Sequence, residues 1–170
     1  FPLWPWQEAG LALTGRGIPD HQFHYYRVYP PQPREDKKVN YFPLAHTLIG
    51  ETIGKKKLLS RAGMSSASDQ SDFFISLKES GIVSDICTPL VVKMKVLGAF
   101  YVGFSDESAQ RPELQDLIQT LAHELSSTIE GIYLVEDLRF NLQPLKRAHQ
   151  ELKGLDSLKT EFISSVSHEL

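Results

Sequence analysis

The sequence predicts an α+β fold: an antiparallel β-sheet flanked by helices, followed by a long C-terminal helix. Three observations carry this reading. Short stretches dense in β-forming residues alternate with short helical patterns up to Phe104. Two apolar runs, Ile82 to Val92 and Val96 to Phe104, are separated only by Lys93-Met94-Lys95, the spacing of an antiparallel hairpin. From Glu113 onward, apolar residues recur at intervals of three and four, the period of an amphipathic helix. Strands and helices separated in this way belong to α+β architectures.

In chain order, Glu8 to Thr14 reads as a short helix ending near Gly15 and Gly17. Gln22 to Tyr29, with Phe23, Tyr25, Tyr26, Val28 and Tyr29, reads as a strand. Pro30, Pro31, Pro33 and the charged run Arg34 to Lys38 mark an exposed turn, and Val39 to Pro43 a second strand pairing with the first. His46 to Ile53 has a helical pattern, and Leu58-Leu59 a brief strand. Residues 63–71 are small and polar and read as a mobile loop. Asp72 is a candidate cap for a helix from Phe73 to Ser80, which Gly81 ends. Pro89 cannot donate a ladder bond, so it implies an edge, an end or a bulge in its strand.

Leu114, Leu117, Ile118, Leu121, Leu125, Ile129 and Ile132 form the first part of the long stripe. Leu138, Leu142, Leu145, His149 and Leu152 continue it at the spacing of a two-stranded coiled coil. The register slips near Gly154, as a stutter does. Pro144 predicts a kink or break.

Composition bounds the function. Hydrophobic residues make up 41% and charged residues 23%, as in ordinary globular domains. A net charge of −3 argues against a broad nucleic-acid surface, so no nucleic-acid partner is expected. The only basic run is Lys55-Lys56-Lys57, read as a solvated loop or helix end. No apolar run is long enough to span a membrane, so no membrane contact is expected of these residues. The chain is expected to be a segment of a longer protein, cytoplasmic here, with room for a membrane tether upstream. Cys87 is the single cysteine and cannot form a disulfide within the chain.

The last residues carry the most specific pattern. Lys159-Thr160-Glu161-Phe162 is followed by Ser167-His168-Glu169-Leu170 at the end of the long amphipathic segment. This resembles the phosphoacceptor H-box of sensor histidine kinases over the whole of Lys159 to Leu170. The chemistry suits the residue types. A neutral imidazole is a competent nucleophile toward a γ-phosphoryl group near neutral pH. An adjacent carboxylate can take up its other ring proton or orient the ring. The resemblance therefore implies that His168 is the phosphoacceptor and Glu169 its general base or orienting group. It also implies a homodimer, with Phe162 and Val166 facing the dimer core, and a response regulator as the onward phosphate acceptor. ATP and Mg are the cofactors of the parent kinase. The present residues lack an ATP-binding domain, so the chain is expected to be inactive alone and to depend on the kinase ATP-binding domain of the parent.

The preceding part resembles a GAF domain. The local match is Ser84 to Pro89-Leu90 in Gly81 to Leu90, followed by the Gly-containing strand Val96 to Phe104. A PAS domain competes, but Pro-Leu on the hairpin and the long closing helix favour GAF. The implied organisation is a GAF-like sensor domain over 1–137, a signalling-helix linker over 138–157 and the start of the phosphoacceptor helix over 158–170. A sensor of this type has room for an unknown small ligand, and a GAF domain that binds nothing and serves as a dimer scaffold is the alternative. No cofactor is identified by the residues: Thr88 follows Cys87 where bilin-binding GAF domains have His, and one thiolate cannot hold an iron–sulfur cluster. A buried structural cysteine is the default. His21, His24 and His46 are candidate ligands of a metal or haem, but His21 and His24 are not spaced to share one strand face, and no metal is expected. The aromatics of the first third, from Trp4 to Phe42, fit a core or a pocket wall. The alternative function is a ligand-binding or dimerising GAF module with no kinase role.

Overall fold

The computed structural model describes residues 6–31, 41–63 and 71–169. The elements in chain order are β1 (Glu8–Leu13), β2 (Gln22–Tyr29), β3 (Tyr41–Pro43), α1 (Leu48–Lys55), β4 (Leu59–Ala62), α2 (Asp72–Glu79), β5 (Ser84–Val92), β6 (Lys95–Phe104) and α3 (Pro112–Glu169). A 3-10 turn, Ser108–Gln110, precedes α3. The strands form one six-stranded sheet in the order β3-β2-β1-β6-β5-β4, with every neighbouring pair antiparallel. The fold is α+β, as expected. The chain divides into two compact units, Phe1–Thr128 and Ile129–Leu170. Residues 64–70 of the expected loop, most of the turn after Pro31 and the first two residues of the expected strand Val39 to Pro43 lie outside the described residues.

β1 corrects the expected helix at Glu8 to Thr14. The residues Glu-Ala-Gly-Leu-Ala-Leu have high helix propensity, but they lie at the centre of the sheet, paired with β2 on one side and β6 on the other. Two ladders satisfy the backbone that a helix would have satisfied internally, and tertiary context overrides propensity. Gly10 is required here: a Cβ would lie 2.3 Å from Cζ of Tyr25.

The other short elements follow local chemistry. Thr47 caps α1, its hydroxyl accepting from the Gly50 amide at 3.0 Å and donating to the Leu44 carbonyl at 2.8 Å. Ser71, not Asp72, caps α2 by accepting from the Phe74 amide at 3.2 Å. Asp72 falls instead in the first turn, where its charge opposes the helix dipole. The β5–β6 turn is two residues, Lys93 and Met94, both with positive φ (46° and 73°). That is the geometry of a type I′ turn. Pro89 is at an edge, as its missing N–H requires: β4 pairs with β5 only as far as Cys87, and a register shift follows at Leu90/Val91.

Pro144 does not break α3, which is helical from Pro112 to Glu169. Loss of the Pro144 N–H removes one helical hydrogen bond, and the turns on either side carry the helix through.

Side chains alternate across the sheet. One face places Ala12, Phe23, Cys87, Ala99 and Tyr101 against α1 and α2, which supply Leu48, Ile49, Phe73, Phe74 and Leu77. Phe73 is the hub of the aromatic packing, with ring centroids 5.3 Å from Phe23, 4.7 Å from Tyr25, 5.1 Å from Phe42 and 5.9 Å from Tyr101. Among the early aromatics, Phe23, Tyr25 and Phe42 thus belong to or pack on the core, while Tyr26, Tyr29 and Tyr41 are exposed.

Candidate functional site

Two charged clusters are buried within the aromatic face of the sheet. Asp85 on β5 is fully buried. Arg61 on β4 donates to it twice, from Nε to Oδ1 at 3.0 Å and from Nη2 to Oδ2 at 2.6 Å. The register Arg61↔Asp85 places the two side chains directly opposite each other. Tyr101 Oη donates to Asp85 Oδ2 at 3.3 Å, and the Arg61 guanidinium lies 5.0 Å from the centroid of the Phe74 ring. In the second cluster, Tyr25 Oη donates to Glu8 Oε1 at 2.9 Å. Arg27 Nε lies 3.3 Å from the same oxygen, close enough for ion pairing but not aligned for a hydrogen bond. Burial, reinforced by Glu8, pushes the Tyr25 phenol well above its usual range. Burial, reinforced by Asp85, does the same to Tyr101. These phenols stay protonated and act as donors to buried carboxylates. Sequence reasoning did not single out Glu8, Arg61 or Asp85. Only Asp85 gave a signal, as a charged residue inside the apolar run Ile82 to Val92; Glu8 lay in a segment that reads as helix and Arg61 beyond the brief strand Leu58-Leu59.

Cys87 is buried, and burial pushes its thiol up to about 12. A thiol held protonated is neither a nucleophile nor a metal ligand. His24 packs on Tyr26 at 3.9 Å between ring centroids, and burial lowers its basicity. His21 and His46 are both in left-handed turns, with φ of 61°. Among the described residues, no three His, Cys, Asp or Glu side chains converge on a common point. The opposite face of the sheet has an apolar groove of about 320 Å³, lined by Leu11, Val28, Phe100, Leu121 and Leu125 among others.

In the C-terminal unit, α3 brings the predicted phosphoacceptor residues into its final turn, and both His168 and Glu169 are exposed. Leu155, Phe162 and Val166 are exposed apolar residues at spacings of seven and four, on one side of the helix. At about 100° per residue, His168 lies roughly 240° around the helix from Phe162, away from that apolar side. Further toward the N-terminal end, Leu145 and Leu152 are each 65% exposed, with Leu138 and Leu142 in the same stripe. No helix among the described residues is long and apolar enough to cross a membrane.

No protein-family model and no curated protein matches this sequence. Solved structures do. The GAF domain of a two-component sensor histidine kinase from Bacillus halodurans has 15% identity and a TM-score of 0.64, over 77% of this chain and 86% of that one. The GAF domain of an Acinetobacter phosphoenolpyruvate-protein phosphotransferase has 14% identity and a TM-score of 0.60, over 78% and 75%. A GAF domain/HD domain protein from Geobacter sulfurreducens has 14% identity and a TM-score of 0.59, over 78% and 85%. Likeness at these identities speaks to fold alone, and it agrees with the strand order and the closing helix described above: the chain has the GAF fold, with a long C-terminal helix.

Proposed function

We propose that this chain is the sensory and phosphoacceptor-bearing part of a two-component histidine kinase, in which the GAF unit controls autophosphorylation of His168 and onward transfer to a response regulator. The observation that carries the reading is the match at eight positions within Lys159 to Leu170, of which those through Glu169 lie on the helix that begins at Pro112. The exposed imidazole of His168, with the Glu169 carboxylate next in sequence, supplies the nucleophile and its orienting base. The exposed leucine stripe from Leu138 to Leu152 supports a homodimer joined along a coiled coil. Gly154, where the heptad register slips, is the element through which a change in the GAF unit alters access to His168. ATP and Mg come with the parent's ATP-binding domain, which acts on the phosphoacceptor helix of the dimer.

The test uses the parent kinase. His168→Gln abolishes autophosphorylation, and Gly154→Ala shifts its basal rate while the dimer persists. Full autophosphorylation of His168→Gln would refute the assignment. An unchanged basal rate in Gly154→Ala would refute the proposed route of control. The same chain as a dimerising GAF module without kinase function would show neither effect.

A further inference from the structure

We infer that a cleft in the GAF unit, between the α1–β4 connection, the end of β5 and the first turns of α3, binds a small phosphate-bearing molecule through Lys56, Lys57 and His123. The cleft has a volume of about 390 Å³. That is within the range of small-ligand sites, roughly 300–1,000 Å³. It exists because β4 stops pairing with β5 at Cys87, so Thr88, Pro89 and Val91 form a wall that no strand of the sheet covers. Gln119, His123 and Ser126 form the opposite wall, at the i, i+4, i+7 spacing of one helix face.

The charge of this lining is one-sided. Lys56, Lys57 and His123 line the cleft, and no Asp or Glu among the described residues does, in a chain whose net charge is −3. The ordinary explanation for lysines here is compensation of the α1 dipole at its C-terminus. Lys55 already fills that role, inside the last turn and paired with Glu51 at 2.5 Å. Lys56 lies beyond the helix in a left-handed conformation, and Lys57 follows it toward β4. Ser126 has committed its proton to the Ala122 carbonyl at 2.6 Å, so the donors for an anion are the two ammonium groups, His123 and the Gln119 amide. Ammonium groups act as compact point charges, which suits a phosphate. Leu58, Pro89 and Val91 complete the lining with apolar surface, so the volume fits a phosphate joined to a small organic body. The site uses none of the phosphoacceptor residues 158–170 and does not depend on the kinase reading.

The test is calorimetric titration of the 170-residue chain with inorganic phosphate and with phenyl phosphate at moderate salt. Both probes bind saturably with one site per chain, phenyl phosphate the more tightly. Lys56→Ala/Lys57→Ala weakens binding by about tenfold or more, as loss of charge-assisted hydrogen bonds requires. His123→Gln weakens it less, and Lys55→Ala leaves it unchanged. Amide shift mapping on the unmodified chain keeps the test independent of variant folding: phosphate moves the Thr88, Gln119 and His123 resonances. Absence of saturable binding of either probe, equal weakening in Lys55→Ala, or shifts confined to other surfaces would overturn the inference.

Discussion

Arg61 and Asp85 face each other across β4 and β5, and two hydrogen bonds join them in a fork-to-carboxylate geometry. Asp85 is fully buried, so removing Arg61 takes away the ion-pair partner of a carboxylate out of reach of water. Arg61→Ala therefore destabilises the chain by about 3–5 kcal/mol, the usual cost of stranding one member of a buried pair. Urea unfolding measures it. Arg61→Met combined with Asp85→Leu loses less than Arg61→Ala alone, because no unpaired charge remains.

The β5–β6 turn places Lys93 and Met94 in left-handed backbone conformations that neither residue favours. Replacing the pair with Asn-Gly matches the type I′ turn and raises stability by about 1 kcal/mol, read as a higher urea midpoint. Met94 is 83% exposed, so the exchange removes little packing.

Glycine substitutions separate the two units. At Gly50, a Cβ would lie 1.9 Å from the Leu44 carbonyl oxygen, so Gly50→Ala must displace backbone at the start of α1 and lowers the thermal midpoint. At Gly154, a Cβ meets nothing within 4 Å, and Gly154→Ala stabilises the helix by about 1 kcal/mol. Circular dichroism melts distinguish the two directions.

Alkaline pH weakens the fold. The Cys87 thiol moves from an ordinary 9.0 to about 12 on folding, and Tyr25 and Tyr101 move upward from 10.0. Below pH 9 both folded and unfolded chains hold these protons, and the contribution is fully present. As pH rises from 9 toward 12, the unfolded thiol releases its proton while the folded thiol keeps it, so stability falls. Urea midpoints should decrease across that interval, less steeply in Cys87→Ala. A thiol reagent should modify Cys87 only as the chain unfolds.

Much of this architecture is visible in the sequence where local signals and tertiary context agree. β2, α1 and the β5–β6 hairpin follow from β-forming density, helical period and a short turn. β1 does not, because Glu8 to Leu13 has helix-forming residues whose strand conformation is imposed by neighbours on both sides. The α2 cap shifts from Asp72 to Ser71 because both residue types cap well and only the backbone geometry chooses between them. Pro144 reads as a break, yet a long helix tolerates the loss of one hydrogen bond. The pairing of Arg61 with Asp85 depends on strand register across a connection of more than twenty residues, which no local pattern encodes. The phosphoacceptor segment is the converse case, since its signal is a contiguous motif on a strongly periodic helix.

The most direct measurement supplies the kinase ATP-binding domain and labelled ATP to the chain and locates the phosphate by mass spectrometry. The account predicts an acid-labile, alkali-stable phosphoramidate on His168, absent from His168→Gln. Phosphate on another residue, or none on a folded and dimeric chain under conditions where the parent kinase is active, would contradict it.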